Sequence, residues 1–222
     1  MEAQQKSNTI MPRPSLAIID LGINNVKSIE KGFQGSFEEF DTKIIGEGGL
    51  TSNTPQVLVL PGVGAFGSGI TRLKNLNLYD QVRDFVDSGG ALVGICLGMQ
   101  LLGSGSEESP NVVGLEILQG NNKKLESSKK NKVPRTGWDS VKFNPNSILQ
   151  NIKSADFYFN HSYHFVTNIE NVTATALHGE SEISAAVQRD FIFGFQFHPE
   201  KSGKAGAALL RELSQVIWGR LK

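Results

Sequence analysis

The chain has a single cysteine, in Gly94-Ile95-Cys96-Leu97-Gly98. These residues lie where an apolar run, Ala91 to Ile95, meets Met99-Gln100-Leu101-Leu102, a segment able to begin a helix. A side chain on a sharp strand-to-helix turn stands clear of both elements, and the crowded backbone needs small residues two positions to either side. Gly94 and Gly98 supply them. The start of a helix favours a negative charge, and a nearby imidazole would favour the thiolate further, so Cys96 is placed for acyl transfer. Most free cysteines are small buried hydrophobes; the flanking glycines turn the reading towards a nucleophile.

A second chemical run lies near the other end, in Phe193-Gly-Phe-Gln-Phe-His198-Pro-Glu200. An apolar strand there delivers a histidine and a carboxylate two residues apart, which extended chain places on one face. Glu200 can fix the tautomer of His198 through one ring nitrogen, leaving the other to take a proton from Cys96 and return it to a leaving amine. A His-x-Glu pair alone more often caps a strand end. Its conjunction with the cysteine turn gives it weight.

Pro61-Gly62-Val63-Gly64 follows the apolar run Val57 to Leu60. With Ala65, Phe66 and Gly67 it matches the dinucleotide pattern G-x-G-x-x-G, but the next strand ends in Cys96 where that pattern expects an acidic residue for the ribose. A loop whose backbone approaches the carbon under attack fits better. An amide at Val63 or Gly64 then gives one oxyanion donor and the Leu97 amide the second, with a tight surface turn as the plain alternative. His161, His164 and His178 have no such carboxylate neighbour, and one cysteine gives no zinc-like spacing, so neither a metal nor a cofactor is expected.

These residues need elements to carry them. Leu16 to Ile19, Val57 to Leu60 and Ala91 to Ile95 read as buried strands, with helices between them presenting Val26, Ile29 and Phe33, then Leu78, Val82, Phe85 and Val86. That alternation predicts a largely parallel central sheet with helices on both faces, in an α/β, flavodoxin-like fold, with Cys96 at the carboxyl end of a central strand. Val172 to Leu177, Ile183 to Val187 and Phe191 to Phe197 are β-rich and separated only by turns, which predicts a smaller antiparallel portion carrying His198. Gln119 to Lys132, rich in Asn, Lys and Ser, reads as a solvated loop, and a last helix is expected from about Gly206 to Leu221.

With 22 basic and 22 acidic residues the chain has no net field to gather nucleic acid or an anionic membrane surface. One cysteine excludes an internal disulfide, the polar start lacks a signal-peptide core, and no apolar run spans a bilayer. A cytoplasmic protein is expected: residues 1–15 as a disordered extension, 16–222 as one domain.

Taken together, Pro61 to Gly64, Gly94 to Leu102, Asn160-His-Ser-Tyr163 and Gln196-Phe-His-Pro-Glu-Lys-Ser202 resemble the class I glutamine amidotransferases, from about Leu16 to the final helix. The resemblance implies a glutaminase in which Cys96 is acylated by glutamine. It also implies that Gly62, Gln100, Glu108 and the backbone at Ser162 and Tyr163 hold the substrate. Within the class the chain is similar to the branch that works as a heterodimer with a (β/α)8-barrel cyclase subunit of HisF type in histidine biosynthesis, with Lys201 at the interface. Free ammonia at neutral pH is mostly protonated and not nucleophilic, which agrees with the need for an acceptor subunit. Asn24, and Arg135-Thr136 within Val133 to Trp138, depart from the family's usual residues at positions that bear on the docking face. Two other readings stay open: a paralogue whose barrel amidates a cell-surface sugar, and a stand-alone cysteine hydrolase on the same architecture.

Overall fold

The computed structural model describes residues 13–22, 26–50, 54–145, 147–149, 151–152 and 154–222. Asn24 and most of the expected N-terminal extension lie outside the described residues. Within that extension Arg13 pairs with Asp41, and Ser15 already opens the first strand.

Strands β1 (Ser15–Ile19), β2 (Asp41–Ile45), β3 (Val57–Gly62) and β4 (Ala91–Cys96) alternate with helices α1 (Val26–Gln34), α2 (Phe66–Asn75) and α3 (Tyr79–Asp87). The short helix α4 (Leu97–Leu101) follows β4 directly. Beyond it come β5 (Gly105–Ser106), β6 (Gly120–Lys124), β7 (Arg135–Phe143), β8 (Ser154–His161), β9 (Tyr163–Thr167), β10 (Val172–His178), β11 (Ser181–Arg189) and β12 (Ile192–Phe195), then α5 (Gly203–Leu221). Among the described residues nine strands form one sheet in the order β2-β1-β3-β4-β12-β11-β10-β7-β8, and β5-β6-β9 form a smaller one.

The first five strands of that order run parallel, and pairing turns antiparallel from β12 onwards. β12 therefore belongs to both portions, antiparallel to β11 and parallel to β4. Every residue of β3, β4 and β12 is buried, as expected of strands covered on both faces. In β1, Leu16 and Ile18 join a core under α1 and α5 with Phe33, Leu209 and Leu213, whereas Ala17 and Ile19 join a second core under α2 and α3 with Phe66, Ile70 and Phe85.

Register brings the chemistry to one end of the sheet. Gly62 lies opposite Cys96, and Phe195 opposite Ile95, so the segments after β3, β4 and β12 emerge side by side. The carboxyl ends of parallel strands are where ligands bind in open α/β sheets.

Three expectations need correction. Gln119 to Lys132 is not a loop throughout, because Gly120–Lys124 pairs with both β5 and β9 and buries Asn122 completely. Asn122 is tolerated there because its Nδ2 donates to the carbonyls of Gln100 (2.9 Å) and Gly105 (2.8 Å), a satisfaction that composition cannot reveal. The last strand is shorter than expected, ending at Phe195, and the last helix begins at Gly203 rather than Gly206.

Candidate active site

Cys96 adopts φ 53°, ψ −108° between β4 and α4, a region that a residue with a side chain enters only when its surroundings impose it, at about 1–3 kcal/mol. The glycines explain how. A Cβ on Gly98 would lie 1.7 Å from the Leu60 carbonyl oxygen, and one on Gly94 would lie 2.8 Å from the Gly98 backbone. Helix α4 can thus start hard against β3 and β4, with the sulfur at the strand ends.

His198 is extended (φ −103°, ψ 94°), and Pro199 then starts the 3-10 turn Pro199–Lys201. The extended His-x-Glu geometry expected from the spacing is therefore replaced by a turn, which folds Glu200 back so that His198 Nδ1 donates to its Oε1 at 2.8 Å. The His198 amide donates to the Tyr158 carbonyl (2.9 Å), and Ser202 Oγ donates to the His198 carbonyl (2.6 Å) while accepting from the Tyr158 amide (3.0 Å). Helices α1 and α5 press on the same turn. A Cβ on Gly32 would stand 3.2 Å from Glu200 Cβ, and one on Gly206 1.9 Å from the Pro199 carbonyl oxygen.

Both side chains of the pair are only 2% exposed. Burial drives the His198 proton off, but the neighbouring Cys96 and the hydrogen-bonded Glu200 outweigh it and raise the ring's pKa from 6.5 to about 9; Nε2, the ring nitrogen that Glu200 does not engage, is buried without a hydrogen bond among the described residues. The sulfur also lies 3.8 Å from the Asn160 carbonyl oxygen and 3.8 Å from Gln196 Nε2.

Two cavities flank this group. The larger, about 340 Å³, is lined by Cys96, Leu97, Gln100, Glu108, Ser162 and Tyr163, together with Gly64, Asn160 and His161. The smaller, about 120 Å³, is lined by Gly62, Val63, His198, Glu200 and Lys201. The Pro61–Gly64 loop runs between them: Gly64, at φ 105°, borders the larger cavity, whereas Gly62 and Val63 border the smaller. Gly62 packs under the Leu97 side chain, where a Cβ would meet it at 2.8 Å.

In the larger cavity Gln100 Nε2 donates to the Tyr163 carbonyl (2.7 Å) and to Gln196 Oε1 (3.1 Å). Both amide hydrogens are thereby engaged, which leaves Gln100 Oε1 as an acceptor. Glu108 Oε2 accepts from the Phe66 amide at the start of α2 (2.7 Å). Acceptors of this kind suit an ammonium group, and a nucleophilic sulfur beside them suits a carbonyl carbon several bonds away. Among the described residues no group of three His, Cys, Asp or Glu side chains could hold a metal.

One participant, His161, was given no role from the sequence. His161 is buried and its Nδ1 donates to the Tyr163 carbonyl at 2.8 Å. Burial pushes its pKa down to about 3, with the charges of Arg135, His164 and His178 acting the same way against the Tyr163 hydrogen bond, so the ring stays neutral. Arg135, one of the departures that bear on the docking face, is buried, paired with Asp139 at 2.7 Å and stacked 4.1 Å from the Phe159 ring. Its neighbour Thr136 is exposed and donates to Asn160 Oδ1 at 3.1 Å. Lys201 is exposed, its Nζ 5.8 Å from the Tyr158 ring centroid. The position of His161 within Asn160-His-Ser-Tyr163 was the available signal; the Arg135 stack left none.

The family pattern described as "Glutamine amidotransferase class-I" matches residues 19–214. The chain is 37% identical to the imidazole glycerol phosphate synthase subunit HisH of Moorella thermoacetica, over 91% of this chain and 95% of that one. It is also 37% identical to the HisH subunit of Thermotoga maritima, over 92% and 98%. Among solved structures, one titled as a glutamine amidotransferase superposes with a TM-score of 0.71 at 16% identity, covering 91% of this chain and 98% of that one. A PurLQS structure from Thermotoga maritima gives 0.68 at 18%, covering 95% and 100%. These two structural likenesses bear on the fold.

Proposed function

Because the chain belongs to the class I glutamine amidotransferases, we propose that it is the glutaminase subunit of an imidazole glycerol phosphate synthase. The observation that carries this is a 37% identity to HisH subunits running through nine-tenths of both chains.

In this reading glutamine lies in the larger cavity with its α-ammonium group on Gln100 Oε1 and Glu108 and its carboxylate near the Ser162–Tyr163 backbone. With its pKa raised to about 9, His198 holds on Nε2 the proton taken from Cys96, and the sulfur attacks the side-chain carbonyl carbon. The oxyanion that forms is held by the Leu97 amide and by an amide of the Val63–Gly64 loop. His198, its tautomer fixed by Glu200, then protonates the departing nitrogen, and ammonia leaves a thioester on Cys96. Water deprotonated by the same ring attacks the thioester, and glutamate departs with the thiol restored.

Ammonia passes to a (β/α)8-barrel cyclase subunit of HisF type, in a heterodimer with Lys201 at the interface. Residues 16–222 form the amidotransferase domain, and 1–15 precede it. The reading places the protein in the cytoplasm; no described helix is long and apolar enough to cross a membrane. The test is glutamate release with glutamine as sole nitrogen source, with and without a HisF-type barrel and its phosphorylated ribulosyl substrate. Stimulation by that barrel supports the reading. Stimulation only by a barrel acting on a surface sugar supports the paralogue, and full activity alone a stand-alone hydrolase.

A further inference from the structure

Gln196 is fully buried between the nucleophile and the substrate cavity, in a motif whose other polar members already have roles. Its neighbours fix which way its amide points. The Tyr163 carbonyl can only accept, so the Gln100 atom 2.7 Å from it is the nitrogen, and the same nitrogen donates to Gln196 at 3.1 Å. The Gln196 atom facing Gln100 is therefore its oxygen, and its nitrogen faces the sulfur at 3.8 Å.

We infer that Gln196 is a further working residue of the site: it donates a hydrogen bond to the Cys96 sulfur and, through its oxygen, holds Gln100 in the orientation that receives glutamine. The inference rests on the reading of Cys96 as the attacking atom. The other contact of the sulfur, the Asn160 carbonyl 3.8 Å away, can only accept. It can take the S–H of the neutral thiol, but has nothing to offer once the proton has moved to His198. The Gln196 amide can donate in both states, and more strongly to the charged sulfur. Among the described side chains it is the neutral donor that faces the sulfur, and it adds to the start of α4 in favouring the thiolate as the proton transfers.

The second half of the inference follows from connectivity. Cys96, Gln196, Gln100, the Tyr163 carbonyl and His161 form one hydrogen-bonded chain. His161 is neutral throughout the working range, so the far end of the chain does not titrate away. A ligand that occupies Gln100 Oε1 polarises the Gln100 amide and, through it, Gln196, so an occupied cavity and a held sulfur reinforce each other.

The experiment uses alkylation of the chain's sole cysteine by iodoacetamide, which needs neither partner nor turnover. Gln196→Met keeps the volume and removes both polar ends; Gln196→Glu keeps an acceptor for Gln100 and places a repelling oxygen on the sulfur. At pH 7 both variants should alkylate about tenfold more slowly than the parent chain. Glutamine should protect Cys96 in the parent and in Gln196→Glu at similar concentrations, while Gln196→Met needs severalfold more. Melting curves establish that each variant is folded, and if Gln196→Met is not, Gln196→Glu decides. Alkylation rates that match the parent's overturn the inference. Failure of glutamine to protect the parent chain would count against the proposed substrate instead, and leave the alkylation rates to judge Gln196.

Discussion

Cys96, His198 and Glu200 act in the proposed reaction as one proton-transfer unit, so their removal should not be additive. Cys96→Ala should reduce glutamate release to background while leaving a partner barrel's use of added ammonia intact. His198→Asn should lose roughly as much, on the order of a thousandfold or more, whereas Glu200→Gln, which still orients the ring, should lose less. Steady-state glutamate assays on the three variants check this order. His198 also makes a pH prediction. Its folded pKa is raised from 6.5 to about 9, so the stability it contributes is fully present below pH 6.5 and lost as pH rises through about 9. The shift is worth on the order of 3 kcal/mol at most. The melting temperature should therefore fall between pH 6.5 and 9.5, and His198→Asn should flatten that slope. An equal slope in both proteins would mean the ring is not charged in the folded state.

The elements contribute mainly by how closely they approach. Helix α4 reaches β3 only because residue 98 has no Cβ, the nearest obstacle being the Leu60 carbonyl oxygen at 1.7 Å. That obstacle is backbone and cannot rotate away. Gly98→Ala should cost roughly 3 kcal/mol or more and displace Cys96 as well. Gly219 near the end of α5 has nothing within 4 Å of a Cβ, so Gly219→Ala should stabilise by about 0.5–1 kcal/mol with activity unchanged. Urea midpoints with parallel glutamate assays separate the two. Between these extremes lies Gly32, where a Cβ would meet Glu200 Cβ at 3.2 Å. Its replacement by Ala should lower activity several-fold, as a tilted carboxylate misplaces the ring, with a loss of stability of about 1 kcal/mol or less.

For the whole molecule the question is control. A site permanently assembled would release ammonia with no acceptor present, so the subunit is expected to be incomplete alone. Gly64 gives the proposed oxyanion loop room to change, since it sits at φ 105° with open space about its Cβ position. Rotation of the Val63–Gly64 peptide would aim an amide into or away from the larger cavity. Glutamate release should rise from chain alone, to chain with barrel, to chain with barrel and acceptor ligand. Reversing charge with Lys201→Glu should remove the rise, as linkage through an interface requires. Equal rates in all three states would show a site that is always formed.

The sequence by itself determined what depends on neighbours along the chain. Apolar runs fixed β1, β3 and β4, helical spacing fixed α1 and α3, and two glycines around one cysteine fixed the turn. The fold class and the family followed from such local runs. What it did not determine were the contacts made across the sheet. Gly120–Lys124 looks like a solvated segment because its polar side chains are visible in the sequence, whereas the backbone carbonyls that satisfy Asn122 are not. Arg135 likewise reads as a surface charge until β8 brings the Phe159 ring beneath it. His198 and Glu200 could be paired from their spacing, but their meeting depends on a turn held by Tyr158 and Gly32, far away in the chain, and by Ser202 and Gly206, whose contacts with it no spacing reveals. Gln196 stood in a recognised motif, yet only the register of β12 against β4 places its amide on a sulfur one hundred residues away. Local patterns set which elements form, because their interactions lie within a few residues; tertiary packing decides which polar atoms meet, because hydrogen bonds need distances and directions that no spacing in the chain contains.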